Sequence, residues 1–144
     1  LRCLRSILES LTREVLKQRT ASAGVKALVT AYLRWVHRHQ AEARLIFAAA
    51  YLGLDRDFRE PLIRHAAEIT APLNDWLELH IATGAIVRLD PSLYEVVLIG
   101  PPAEASRRFL SSRSSVAFAR AMKQLPERVW ASVRPADGRA GRRA

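Results

Sequence analysis

The stretch Gly84-Ala-Ile-Val-Arg-Leu-Asp90-Pro91-Ser-Leu-Tyr-Glu-Val-Val-Leu-Ile-Gly100-Pro101-Pro102 decides the fold of this 144-residue chain. Asp90 followed by Pro91 is a helix start. A short carboxylate accepts from the free N–H groups of a first turn, and proline already holds the backbone angle that the first helical position needs. Gly84 is a stop for the helix before it, since glycine enters the left-handed conformation without steric cost. The apolar run that follows Pro91 continues into Gly100-Pro101-Pro102. A solitary surface helix tolerates that tripeptide badly. We therefore expect a kink supported by a neighbour, with the small residues at a close helix crossing.

Working outward, the rest of the chain also reads as helices. Leu1, Leu4, Leu8, Leu11 and Val15 recur at spacings of three and four and form one narrow apolar seam. The run from Thr20 to Gly24 is expected to break that pattern. A second helix carries Val25, Leu28, Val29, Tyr32, Leu33 and Val36 and ends in the polar run His37–Gln40. A third carries Ala43, Ile46, Phe47, Ala50, Tyr51 and Leu54, and Gly53 and Asp55 mark its end. The fourth is the longest: Phe58, Leu62, His65, Ile69, Leu73, Trp76 and His80 keep one face for more than six turns. Pro72 lies inside it, where a bend is expected. After Ser111–Ser115 a last helix carries Phe118, Met122, Leu125, Val129 and Val133 on one face, with Pro126 expected to kink or restart it. No segment has the two-residue period of a strand. The expected fold is an all-α, antiparallel bundle of about six helices without a sheet.

The formal charge of +9 suggests nucleic acid until it is placed along the chain. Residues 1–54 carry a net +6, residues 55–110 a net −3 and residues 111–144 a net +6. Arg outnumbers Lys twenty to three, which also fits a coding bias. The single cysteine, Cys3, leaves no internal disulfide and suits a reducing compartment, so a cytoplasmic protein is expected. No apolar run approaches the roughly 18 residues of a membrane span, and membrane partners are not expected. The Gly/Ala/Arg-rich segment 135–144 is expected to be a disordered tail.

Catalytic and metal signatures are missing from the sequence. His37-x-His39 places two rings on opposite sides of a helix, which is poor for a shared metal. There is no His-Glu-x-x-His, no cysteine pair, no calcium-loop aspartate cluster and no Gly-x-Ser-x-Gly. The chain is read as a non-enzyme without a cofactor or metal. His65 and His80, on the apolar stripe of the fourth helix, suit either satisfied core positions or a cavity wall offering hydrogen bonds to a ligand. In the second case Trp35, Phe47, Tyr51, Phe58, Ile69 and Trp76 supply the apolar and aromatic lining. Arg107 and Arg108 fit either a solvated face or a crossing to a partner's carboxylate.

With these residues in hand, the chain resembles the C-terminal ligand-binding and dimerisation domain of TetR family transcriptional regulators. The resemblance rests on the order of Gly84–Val87, Asp90-Pro91, Ile99-Gly100-Pro101, Arg107/Arg108 with Phe109-Leu110, and Leu125-Pro126-Glu127-Arg128-Val129-Trp130. It covers residues 1–134, strongly after residue 80 and loosely before. It implies a homodimer in which helices at about 91–111 and 115–133 form a hairpin that packs on the partner's hairpin. The faces expected there are Leu93, Val96, Val97, Gly100, Ala103, Arg107, Phe118, Met122, Leu125 and Val129. It also implies a small, largely apolar effector bound among the helices within 1–83. Residues 1–18 resemble the helix that joins this domain to a DNA-binding domain, and effector binding would release operator DNA, as in a bacterial repressor. Nothing in the chain matches the family's N-terminal helix-turn-helix, so contact with an operator is expected only through a segment not present here, and the chain is read as a fragment. A constitutive helical adaptor that dimerises without a ligand shares the same surface. A basic nucleic-acid-binding domain would instead need Arg2, Arg5, Arg13, Arg19 and the tail to form one patch.

Overall fold

A computed structural model describes residues 2–51, 56–112 and 114–136, with the side chains of all but 50, 51 and 56–59. These residues form helices and connecting turns, with no strand among them. The helices are α1 (Arg2–Leu16), α2 (Ala21–Arg38), α3 (Gln40–Tyr51), α4 (Arg56–Ala82), α5 (Pro91–Leu98), α6 (Gly100–Ser112) and α7 (Ser115–Val133). The fold is all-α. The expected tail from residue 137 onward, the expected end of the third helix at 52–55, and Leu1 lie outside the described residues.

Helix α2 is the centre of the molecule and packs against α1, α3, α5, α6 and α7. Val25, Val29, Leu33 and Val36 are almost completely removed from solvent, each contributing about 1.5–3 kcal/mol of hydrophobic stabilisation. Tyr32 is buried beside them, and the loss of water pushes its hydroxyl up to about 12. Helix α1 lies across α2 and α4. Leu11 and Val15 of the expected seam are buried, Leu4 and Leu8 are half-buried, and Ile7 and Thr12 join them.

The second helix begins four residues earlier than its apolar stripe suggests. The Thr20 hydroxyl accepts from the Ala23 N–H (3.1 Å), so Thr20 is an N-cap and the run from Ala21 to Gly24 is its first turn. Gly24 breaks nothing. It makes room: a Cβ placed on it would stand 2.0 Å from Cζ2 of Trp76, whose indole sits against the bare backbone. This contact joins α4 to α2, while the Thr12 hydroxyl reaches the Ile69 carbonyl at 3.5 Å from α1.

The opening stretch behaves much as read. Gly84 has φ of +78° and ends the turn after α4. Asp90 Oδ1 accepts from the Ser92 N–H (2.9 Å) and the Ser92 hydroxyl (2.6 Å), which holds its carboxyl below the ordinary carboxylate range. Between them the connector is tied down twice. The Val87 N–H donates to the Val133 carbonyl at the end of α7 (2.9 Å). The Tyr94 hydroxyl donates to the Val87 carbonyl (2.7 Å) and accepts from the Leu89 N–H (2.8 Å).

The expected single helix over 91–111 is two segments that meet at Ile99, still in right-handed helical conformation. Pro101 and Pro102 offer no N–H to the carbonyls of Val97 and Leu98, and the proline rings crowd those carbonyls, so the break falls just before them. Pro102 is buried, and its carbonyl accepts from the hydroxyl of the fully buried Ser106 (2.7 Å). Helix α7, by contrast, runs through Pro126 without a restart.

The Gly24–Trp76 contact sets up a reversal of sign. Gly24→Ala gains up to about 1 kcal/mol of helix propensity but loses about 1–3 kcal/mol to overpacking against the indole. Urea denaturation should show net destabilisation in the parent chain. In a Trp76→Ala background the same substitution should stabilise.

Candidate functional site

The residues expected to line an apolar pocket divide between separate packing contacts. Trp35 on α2 is 4% exposed, donates its indole N–H to the Ser6 hydroxyl of α1 (3.0 Å), and stacks on His39 with ring centroids 4.8 Å apart. Trp76 and His80, one turn apart on α4, meet at 4.5 Å, with the Trp76 ring in the Gly24 notch. Phe47 on α3 is half-buried against the core, and His65 and Ile69 are half-buried on α4. The side chains of Tyr51 and Phe58 lie outside the described residues. His37 and His39 face different rings: His37 lies over Phe109 and Phe118 at 6.1 and 6.0 Å, whereas His39 lies on Trp35.

Two surface hollows are instead formed elsewhere. The larger, about 630 Å³, is an open polar groove between α1 and α2, and of the expected pocket residues only Trp35 borders it. The smaller, about 190 Å³, lies where α6 meets α7 and is walled by Phe109, Phe118, Ala105 and Ala121. Neither was legible from helical periodicity, because each is made by two helices whose facing sides only the packed structure reveals.

The hairpin of α5, α6 and α7 separates the expected interface residues into two sets. Phe118 and Val129 are 4% and 1% exposed within the single chain. Phe118 stacks on Phe109 at 4.2 Å and, with Val129, belongs to the same core as α2. Met122 and Leu125 are half-buried on the same side. The other set is open. Leu93 is 44% and Val96 63% exposed, and Val97, Gly100, Ala103 and Arg107 are half-buried. Their spacing of three and four places them along one side of the kinked rod. A Cβ built on Gly100 would meet nothing within 4 Å, so the close crossing expected at this glycine is not made inside the chain.

That side ends in an ion cluster. Glu104 accepts from Arg107 Nε (2.8 Å) and from Arg108 Nε (2.9 Å), so both arginines engage a carboxylate of their own helix. The hydrogen bonds from Arg107 and then Arg108 hold the Glu104 carboxyl down at about 2. A carboxyl depressed in the folded state stabilises above its ordinary value and loses that contribution as pH falls through the depressed one. A side-chain carboxyl titration by NMR should therefore place the Glu104 midpoint near 2, and Arg107→Gln with Arg108→Gln should return it towards the ordinary value of 4.5.

No protein-family model matches the chain, and no curated protein matches it.

Proposed function

We propose that this chain is the regulatory core of a TetR-like bacterial transcription regulator. In this reading it dimerises through the α5–α7 hairpin and passes the binding of a small effector to a helix-turn-helix outside the chain. One observation carries the reading. The hairpin closes its core side with Phe109, Phe118 and Val129, yet leaves Leu93 and Val96 largely exposed beside the open Gly100, with Val97 and Ala103 only partly covered by the core. Burying an apolar, small-residue side of this kind is what a two-fold helical contact does, since each rod then meets its own copy at close range. The order of helix signals from Gly84 to Trp130 supports the same reading.

Sedimentation equilibrium tests it directly. The parent chain should be a dimer, with an interface of at least about 1,200 Å² in total. Val96→Glu, at an exposed position, should give monomers with unchanged helix content by circular dichroism. A Val96→Glu dimer would remove α5 from the interface and sink the proposal.

A constitutive adaptor is the second reading. It is favoured by the engagement of Trp35, Trp76 and His80 in packing contacts rather than around one cavity. Thermal-shift screening with small apolar compounds separates the two. A stabiliser whose effect disappears in Phe47→Ala supports effector sensing among α1–α4. A dimer that no compound stabilises supports the adaptor.

A further inference from the structure

The groove between α1 and α2 carries chemistry that the reading above does not use, and none of its residues belongs to the hairpin. On α2, Lys26, Thr30, Arg34 and Arg38 recur every fourth residue and form one ridge along its edge. Opposite them α1 contributes Ser6, Ser10 and Arg13. Ala23, Ala27 and Ala31 also line the groove and add small uncharged side chains beside the ridge.

The charges of this groove are unequally satisfied. Lys17 pairs with Glu14 (3.0 Å), Arg5 with Glu9 (2.7 Å) and Lys26 with Glu127 (2.7 Å), and Arg13 stands 3.8 Å from Glu14. Among the described residues, no carboxylate lies within 4.0 Å of Arg34 or Arg38. Lys17 above all, with Arg13 and Arg34 behind it, holds the Glu14 carboxyl below its ordinary range.

We infer that the α1–α2 groove binds a small organic anion carrying two carboxylate or phosphate groups, received by the guanidinium groups of Arg34 and Arg38. Their Cβ atoms are one helical turn apart, about 6 Å, so the two guanidinium groups can reach anionic groups joined by a short carbon skeleton. Guanidinium forks take either group through paired N–H donors. The hydroxyls of Ser6, Ser10 and Thr30 and the Gln18 amide are further donors of the walls, and the alanines accept the skeleton. The volume lies within the range of about 300–1,000 Å³ that small-molecule sites occupy. Nucleic acid fits less well, because Glu9 and Glu14 stand in the opposite wall, where a continuous phosphate backbone would pass both carboxylates. The site stands whether or not the chain is a TetR-like core.

Calorimetry and amide NMR on the whole chain at low ionic strength test this, with citrate and inorganic pyrophosphate as probes. Saturable binding of either probe at one site, shifting amides of α1 and α2, is expected. Binding of citrate alone assigns carboxylates, and of pyrophosphate alone phosphates. Arg34→Gln with Arg38→Gln should weaken it at least tenfold, about 1.4 kcal/mol, while Glu14→Gln should tighten it. Helicity should not change, since Gln and Arg have similar helix propensity. Arg88→Gln with Arg120→Gln, exposed and outside the groove, is the control. Equal loss in the control would show diffuse charge attraction and overturn the site, as would binding that never saturates. Displacement of both probes by a DNA duplex through Arg34 and Arg38 would assign the groove to nucleic acid instead.

Discussion

The burial of α2 is the constraint on which the rest of the molecule depends. A helix that is apolar over most of its circumference must be covered on most sides, and α1, α3, α5, α6 and α7 are the elements that cover it. The one edge left to solvent is the ridge bearing Lys26, Thr30, Arg34 and Arg38. A further helix laid over that edge would have to desolvate guanidinium groups, at a cost that apolar packing on alanines could not offset. The same helix thus specifies where the protein is closed and where it stays open.

The open side of the hairpin follows from a similar division of labour. The rings of Phe109, Phe118 and His37 hold α6 and α7 to the end of α2, while Leu93 and Val96 on the far side of α5 stay largely exposed. Glu104, clasped by Arg107 and Arg108, caps that side with a charged cluster of net +1. Such a rim limits apolar association to the stretch between Leu93 and Ala103 and gives the proposed dimer contact an end.

Local signals were readable wherever the cause was local. Asp90-Pro91, Gly84, and the stripes of α1, α2 and α7 depend on residues within a turn or two, and the sequence carries that information directly. Gly24 was misread because its reason lies in Trp76, which approaches it only after α4 has folded back. Phe118 and Val129 share a stripe with Met122 and Leu125, and periodicity cannot say whether such a stripe faces its own core or a second copy. The break at Ile99 rather than at Gly100 follows from the missing donors of the two prolines, a matter of which carbonyls they would have served. The α1–α2 groove has no signature in either helix alone.

The connector between α4 and α5 is short, but it binds three elements into one knot. Its Val87 is held by the last carbonyl of α7 through its N–H and by Tyr94 of α5 through its carbonyl, while Ile86 bonds back to His80 near the end of α4. An axial shift of α4 must therefore break these bonds or drag the start of α5 and the end of α7 along with it. The hairpin has two footings, its direct packing on α2 and this knot at the end of α4. The surface that carries Leu93 and Val96 and the helix that carries the Gly24–Trp76 contact are thus joined through one hydrogen-bonded connector.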